Sequence, residues 1–266
     1  MADVTVLISL YSTKRTDSEG EKMATDYNLI AQEYKRAKLQ PWRAHVESFT
    51  LFKLLGDPAG KSVLDLACGE GFHTRVLRQK GGARVVGVDI SAAMIDLARK
   101  EEARQPLGIE YVVADVKELA LDTKFDIVFA AYLLNYAQTE SELRQMCRAI
   151  ADHLQPGGRF VTVNNNPEYT GFTDTMRQYG FQRHTSERVA GAPVTWEFFL
   201  DDGTFAITNY YLSVAAHEQA LRDVGMGDIA WHPPEVSAGG TAELGVEYWQ
   251  PLLLHRPVIC LESRKL

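Results

Sequence analysis

Two glycines and three aspartates are spaced so that together they could bind a ligand carrying hydroxyl and amino groups. Gly69 and Gly71 directly follow an apolar run that contains Asp65, and glycine lets a backbone take φ > 0 and approach a ligand closely. Asp89 and Asp115 each end a further apolar run. One carboxylate could accept hydrogen bonds from ribose hydroxyls and the other from an adenine amino group. The spacing therefore suits a ligand that offers hydroxyl and amino donors, such as a ribose and an adenine, and leaves its identity open.

Alternating strands and helices are predicted to place these residues at one edge of a sheet. The apolar runs predict strands at 63–66, 83–89, 109–115 and 125–132, and apolar spacing predicts helices that begin near Thr74, Ser91 and Glu140. Because open α/β sheets bind ligands outside the carboxyl ends of their strands, the glycine turn and the aspartates should converge on one cleft. Dinucleotide enzymes also use a glycine turn there, so the turn alone does not identify the ligand.

The order of the motifs along the chain narrows the choice of enzyme class. The chain carries D-L-A-C-G-E-G at 65–71, acids at Asp89 and Asp115, and L-Q-P-G-G at 154–158. This set resembles that of class I S-adenosylmethionine (SAM) methyltransferases, without a gap from Lys61 to about Asn166. The resemblance implies an α/β, Rossmann-like sheet of seven mostly parallel strands, the last antiparallel. It also implies SAM as cofactor and S-adenosylhomocysteine (SAH) as product. The rival, an NAD-dependent oxidoreductase, would need a third glycine where Thr74 stands.

The resemblance also implies which side chains contact the cofactor. Y-x-x-I-A-x-x-Y, with Tyr27 and Tyr34, resembles the cap helix that closes over SAM in small-molecule methyltransferases. Arg43 could then reach the methionine carboxylate, or it could be a solvated arginine at a helix start. The predicted cofactor-binding residues are Tyr27, Tyr34, Arg43, Asp65, Ala67, Cys68, Gly69, Gly71, Asp89, Ile90, Met94, Asp115, Val116 and Ala131.

Methyl transfer from a sulfonium needs an aligned nucleophile and little covalent help, and positioning alone can supply ~7–11 kcal/mol. A β-rich segment at 181–214 follows the fifth strand. The predicted catalytic residues lie after the fourth strand and near the end of this segment: Tyr132, Asn135, Tyr210, Tyr211 and His217. Strand alternation allows only one of Tyr210 and Tyr211 to face a pocket. Trp196 and Phe198 are expected to pack the β-rich segment onto the sheet. No histidine pair has metal-ligand spacing, which predicts a metal-independent reaction.

A finer resemblance concerns the acceptor. The stretch from Tyr27 through Trp42-Arg43 to 63–69 looks most like toxoflavin synthase-like methyltransferases, which methylate ring nitrogens of small heteroaromatic metabolites. This implies N-methylation of a small heteroaromatic intermediate in secondary metabolism. O- or C-methylation of a small metabolite, and a SAM-binding protein without turnover, remain alternatives.

The chain divides into four predicted parts. These are an N-terminal extension at 1–22, a helical cap at 23–58, a SAM-binding core at 59–166 and 214–266, and an antiparallel β insertion after strand 5, on the substrate side, at 167–213. Asp201-Asp202-Gly203 is a hairpin signal inside the insertion. The extension is expected to be a loose terminus. The alternative is an arm that adds a strand to a neighbouring subunit, which would make the protein a homo-oligomer.

Composition excludes several classes of protein. A net charge of −7 argues against a nucleic-acid partner, which would need a basic face. No apolar run reaches the ~20 residues of a membrane-spanning helix, and no secretory leader opens the chain. The three scattered cysteines, Cys68, Cys147 and Cys260, suggest a reducing cytoplasm without a structural disulfide. We therefore expect a cytoplasmic enzyme that acts on a small molecule.

Overall fold

A mostly parallel sheet flanked by helices forms the centre of the molecule. The computed structural model describes residue 33 and residues 36–171, 174–184 and 188–266. Its strands are β1 (Ser62–Leu66), β2 (Arg84–Asp89), β3 (Glu110–Val113), β4 (Phe125–Ala131), β5 (Leu154–Asn165), β6 (Phe181–Arg183), β7 (Pro193–Leu200), β8 (Gly203–Tyr210), β9 (Met226–His232) and β10 (Val258–Lys265). Its helices are α1 (Arg43–Ser48 in π form, then Phe49–Leu55), α2 (Phe72–Gln79), α3 (Ala92–Arg104), α4 (Glu140–Asp152), α5 (Val214–Arg222), α6 (Ala238–Leu244) and α7 (Val246–His255). Short 3-10 helices span Val116–Glu118, Leu134–Tyr136 and Asp174–Tyr179.

The main sheet has the strand order β3-β2-β1-β4-β5-β10-β9. β1 to β5 pair in parallel, whereas β10 is antiparallel to both of its neighbours. Four of the five residues of β1 are buried, as expected for a strand covered by helices on both faces. The predicted Rossmann-like sheet of seven strands, with the last antiparallel, is confirmed.

The register brings the ends of the first strands to one edge. Leu66 pairs with Val88 of β2 and with Ala130 of β4, so β1, β2 and β4 end at nearly the same height. The turns that follow these strands therefore meet, as the sequence predicted. The L-x-P-G-G motif begins β5, at the opposite edge of the sheet, where Phe125 pairs with Leu154.

A second sheet, with the order β6-β7-β8, follows β5 and confirms the predicted antiparallel insertion. Leu200 pairs with Gly203 across the two-residue turn Asp201-Asp202, as the hairpin signal predicted. Trp196 pairs with Ile207, and strand alternation puts both on the buried face of this sheet. That face consists of Val194, Trp196, Phe198, Phe205, Ile207 and Asn209.

Several elements differ from the sequence-based prediction. Apolar spacing in the sequence predicts a helix over 168–179, but among the described residues of this range only Asp174–Tyr179 is helical, as a short 3-10 helix. The β-rich run from Thr204 predicts a strand as far as Val214; the strand ends at Tyr210, because the Ser213 side chain accepts a hydrogen bond from Ala216 N and starts α5. The Pro/Gly-rich stretch that ends at Gly240 predicts a loop, but its last residues begin α6, which Ser237 caps in the same way.

Within the cap, Pro41 and the apolar residues that follow predict a helix that ends at Gly56, and α1 confirms it. The extension at 1–22, Tyr27 and Tyr34 lie outside the described residues. Within the part that is described, no helix is both long and apolar enough to cross a membrane.

Gly71 is required by both conformation and space. It caps α2 at φ +79, and a Cβ there would lie 2.4 Å from Tyr111 Oη. Replacing Gly71 by Ala should lower the free energy of unfolding by about 2–4 kcal/mol, from left-handed strain plus overpacking. Gly60→Ala is the matched control, since Gly60 has φ +73 but open space around it. It should cost only about 1–2 kcal/mol; equal losses in urea unfolding would contradict the steric contribution.

Candidate active site

A cavity of about 260 Å³ opens at the carboxyl ends of β1, β2 and β4. Most predicted cofactor-binding residues line it: Arg43, Asp65, Ala67, Cys68, Gly69, Asp89, Ile90, Met94, Asp115, Val116 and Ala131. Of the predicted catalytic residues, Tyr132 and Tyr210 line it as well. We call this cavity the cleft.

The Asp89 carboxylate fixes the backbone around the cleft. It accepts hydrogen bonds from Gly69 N at 2.8 Å and Ser91 N at 2.9 Å, one on each oxygen. Burial raises the pKa of Asp89, and these two backbone donors oppose that rise. Each carboxylate oxygen keeps a second acceptor direction. Asp89 therefore holds the glycine turn in place and can still accept from the two hydroxyls of a ribose.

Two non-glycine residues at the edge of the cleft have left-handed backbones. Ala67 follows β1 with φ 55, and Tyr132 follows β4 with φ 63. Such conformations cost ~1–3 kcal/mol and cluster at binding and catalytic sites. Tyr132 is held there by its N–H, which donates to the Val163 carbonyl at 2.8 Å. The strain turns both residues toward the cleft, where they line its wall.

Asp65 is buried at the base of the cleft. It accepts a 2.6 Å hydrogen bond from Thr74 Oγ1. Thr74 stands where dinucleotide-binding enzymes have the third glycine of their glycine turn. Burial raises the pKa of Asp65 from 3.8 to about 7, with the Thr74 bond opposing the rise. Thr74 thus ties the start of α2 to β1 through a side chain.

Lys38 and Glu70 flank the glycine turn, and the sequence analysis missed both. Lys38 Nζ lies 2.9 Å from Glu70 Oε2, and a Cβ on Gly69 would lie 3.6 Å from the same nitrogen. Burial alone would raise the pKa of Glu70, but the Lys38 ammonium outweighs it and lowers that pKa. Beside them, burial lowers the pKa of His73 to about 3, so this ring is neutral. Lys38 is thus a second cation, besides Arg43, that could meet a methionine carboxylate.

The far side of the cleft suits a flat base. Met94 and Val116 are buried and apolar, and Ile90 is 65% exposed at the rim. Asp115 Oδ1 accepts from Lys117 N at 2.9 Å, and Lys117 Nζ lies 3.5 Å from its other oxygen. Met94 and Val116 offer apolar surfaces to the faces of a flat ring, and Asp115 offers a carboxylate to its edge. They fit an adenine with its amino group turned to Asp115.

Arg43, Glu47 and Tyr132 form a hydrogen-bonded cluster at the other end of the cleft. Arg43 donates to Glu47 and to Tyr132 Oη at 3.2 Å, and Tyr132 Oη donates to Glu47. The Arg43 guanidinium also lies over the Trp42 ring, 4.3 Å from its centroid. Arg43 is only 5% exposed and is therefore not a solvated arginine. Glu47, an acid one helical turn after Arg43, was the sequence signal for this cluster and was not recognised.

Four predicted residues lie beside the cleft rather than on its wall. Gly71 sits under the turn against Tyr111, and Asn135, Tyr211 and His217 line a small separate recess. His217 Nδ1 is 2.8 Å from the Ser213 carbonyl oxygen, and burial lowers the pKa of the ring. That placement gives His217 a packing role on α5 and no direct reach into the cleft.

The charges lining the cleft are predominantly acidic. Burial raises the pKa of Asp65 to about 7, so it carries only part of a charge near neutral pH. The other acidic side chains of the cleft are Glu47, Asp89, Asp115 and Glu142, and its basic side chains are Lys38, Arg43 and Lys117. A negative excess in a partly buried site attracts a cationic ligand group. The sulfonium of SAM is such a group. The glycine turn, the two acids after β2 and β3, and this charge balance all fit SAM.

The sheet order, the glycine turn and the strand-end acids define a Rossmann-like nucleoside-binding fold. The family described as "Methyltransferase domain" matches residues 63–158. The chain is 27% identical over 216 residues to N-demethylindolmycin N-methyltransferase of Streptomyces griseus, covering 80% of this chain and 89% of that protein. It is 35% identical over 125 residues to ubiquinone biosynthesis O-methyltransferase of Coxiella burnetii, covering 46% of this chain and about half, 52%, of that relative.

A SAM-bound amino pentose methyltransferase from Micromonospora echinaspora has a similar fold, with a TM-score of 0.59 at 18% identity. The similarity covers 93% of this chain and all of that one. The chain is a class I SAM-dependent methyltransferase.

Replacing Asp89 by Asn should weaken SAH binding about 10- to 100-fold. The amide keeps the size of the side chain but sets an N–H against a backbone donor and removes charged acceptors, worth ~1.5–3 kcal/mol. Asp126→Asn is the control, because Asp126 accepts from Ser62 N at 2.8 Å at the other edge of the sheet. Calorimetry should show unchanged SAH affinity for it; equal affinities for both variants and the parent would contradict the site.

The raised pKa of Asp65 predicts a pH-dependent stability. The folded chain holds a proton on Asp65 up to about pH 7, whereas the unfolded chain releases it near 3.8. The free energy of unfolding should therefore fall as pH rises between these values. Asp65→Asn should reduce this slope in urea unfolding. Asp126→Asn should keep it, because hydrogen bonds from Ser62 lower the pKa of Asp126 and keep it ionised. A parent-like slope in Asp65→Asn would contradict the assignment.

Proposed function

We propose that the enzyme methylates a nitrogen of a small, planar heteroaromatic metabolite. The observation that carries the proposal is the composition of the cleft beyond its acidic, nucleoside-binding half. That end includes Tyr132 and Tyr136, which also line an adjoining recess beside Trp196 and Phe198, and Tyr210 of β8 lines the cleft as well. Flat aromatic walls stack on flat rings, at about 0.5–1.5 kcal/mol per pair beyond burial.

The cluster of Arg43, Glu47 and Tyr132 could take up the proton that an acceptor nitrogen loses when it is methylated. Bound SAM supplies an electrophilic methyl group on its sulfonium. An acceptor N–H that lies against Tyr132 Oη could pass its proton to that oxygen as the tyrosine proton moves to Glu47. Arg43 contacts both groups and stabilises the Glu47 charge before the transfer. A ring nitrogen with a free lone pair would need no such transfer, and the acidic cleft would stabilise the cationic product.

The Streptomyces griseus relative supports nitrogen as the acceptor atom, because it is named as an N-methyltransferase and aligns over 80% of this chain. The Coxiella burnetii relative is named as an O-methyltransferase, but it aligns over 46% of this chain. A match of that length supports a shared SAM-binding half and is weaker evidence on the acceptor atom. Nitrogen is therefore the stronger proposal.

The acceptor class is tested by incubating the full chain and SAM with a panel of planar ring compounds that includes N-demethylindolmycin. SAH release and the mass of one added methyl group report turnover, and NMR of the product locates the methyl group. We expect products methylated on nitrogen. Products methylated only on oxygen or carbon would overturn the nitrogen assignment, and SAH binding without any turnover would favour a non-catalytic SAM-binding protein.

For an acceptor whose nitrogen carries a proton, Tyr132→Phe should lower kcat about 10²-fold while SAH affinity stays within twofold of the parent. The hydroxyl that contacts Glu47 and Arg43 is lost, and positioned proton transfer is worth roughly 10²–10⁴-fold. The matched control is Tyr211→Phe, because Tyr211 lines the separate recess. A parent-like kcat for Tyr132→Phe, or an equal loss in both variants, would contradict the role of Tyr132.

A further inference from the structure

A second narrow recess, different from the one that Tyr211 lines, extends the acceptor end of the cleft under the inserted sheet. We call this second one the recess. It shares Arg43, Tyr132 and Tyr136 with the cleft, and β7 and β8 supply Trp196 and Asn209 to its wall. Its volume is about 30 Å³, which matches the space of a single water-sized group. The recess can therefore receive one substituent of a molecule whose ring occupies the cleft.

Trp196 differs from the other three tryptophans of the chain. Trp42 Nε1 donates to Gln40, Trp231 Nε1 to Glu218, and Trp249 Nε1 to the Gly240 carbonyl. Trp196 is 4% exposed, yet its Nε1–H has no hydrogen-bond partner among the residues that the structure describes. A buried indole N–H normally finds an acceptor, because leaving it unsatisfied is costly.

Asn209 carries a second unsatisfied donor on the same face of the inserted sheet. Its Oδ1 accepts from Asn165 Nδ2 at 2.8 Å, which orients the amide. Its Nδ2 has no partner within the described part of the chain, although Asn209 is 4% exposed. Asn209 pairs with Val194 while Trp196 pairs with Ile207, so the two side chains are diagonal neighbours across β7 and β8.

We propose that the recess selects a methyl acceptor carrying a carbonyl oxygen or an unprotonated ring nitrogen, which accepts hydrogen bonds from Trp196 Nε1–H and Asn209 Nδ2–H. The proposal rests on the proposed function and specifies its substrate: a flat ring with an accepting edge, of the lactam or cyclic amide kind. Two donors without partners explain the selection. A group that only donates would leave both unsatisfied, and a site built to hydrogen-bond a ligand group rejects analogues that lack it.

This assigns the inserted sheet a part in specificity as well as in packing. Trp196 still packs, since its ring stacks on Tyr169 at 5.8 Å. Phe198 completes the apolar wall of the recess, with the Arg43 guanidinium 5.6 Å from its ring centroid. The apolar surroundings strengthen a hydrogen bond made inside the recess.

The test uses the full chain saturated with SAH and follows the four indole N–H signals by ¹H–¹⁵N NMR. Trp196→Phe assigns the Trp196 signal by its disappearance. The probe is N-methyl-2-pyridone, a flat ring with a carbonyl and no N–H, and the control is toluene, which lacks the carbonyl. We expect the pyridone to move the Trp196 signal downfield to saturation, while the Trp231 and Trp249 signals stay in place. Toluene should cause no such downfield shift.

Asn209→Asp separates recognition from folding. It retains an oxygen for Asn165 Nδ2 and removes the N–H donors, so pyridone affinity should fall about tenfold, as for the loss of one hydrogen bond. SAH affinity should stay at the parent value. The proposal is overturned if SAH binds but the pyridone leaves the Trp196 signal unmoved, if toluene shifts it equally, or if Asn209→Asp binds the pyridone as the parent does. A parent chain that fails to bind SAH would instead overturn the proposed function.

Discussion

The cleft depends on one carboxylate that joins two turns. Asp89 ends β2 and accepts the N–H of Gly69 from the first turn and the N–H of Ser91 from the second. Together with Cys68 N, which donates to the Val88 carbonyl at 3.0 Å, the Gly69 bond tethers the left-handed turn through Gly69 and Gly71 to β2. The tether costs the burial of a charge, which is visible in the raised pKa of Asp89. These bonds place the carboxylate so that its remaining acceptor directions are available to a ribose, the role proposed for Asp89.

The opposite wall of the cleft comes from two distant parts of the chain that are fastened to each other. Gln40 Nε2 donates to the Gly180 and Phe199 carbonyls at 3.1 and 3.2 Å, and the Trp42 ring lies 4.8 Å from Phe181. The segment before α1 is thereby docked onto the inserted sheet. Since Arg43 follows directly, the Arg43–Glu47–Tyr132 cluster sits where the cofactor half of the cleft meets the insertion. A change of substrate can then arise from the insertion while the SAM half is retained.

The strand-end residues were predictable because each depends on local pattern: an apolar run, an acid at its end and a glycine turn. Asp65, Asp89 and Asp115 needed no knowledge of distant packing. Lys38 and Glu47 were not predicted as site residues, because their positions depend on how the segment before β1 packs over the sheet. The same limit affected Trp196, whose proposed role depends on the lack of an acceptor for its Nε1–H among the residues that the structure describes. Propensity also failed at 213–214, where the Ser213 cap outweighs a β-prone run.

The most direct measurement is a crystal structure of the full chain with SAH and an acceptor identified by turnover. We expect both ribose hydroxyls within hydrogen-bond distance of the Asp89 carboxylate, and the adenine between Met94 and Val116. We also expect the SAH sulfur to face the Tyr132 hydroxyl across the acceptor nitrogen. A ribose bound away from Asp89, or an acceptor bound outside the aromatic end of the cleft, would contradict these expectations.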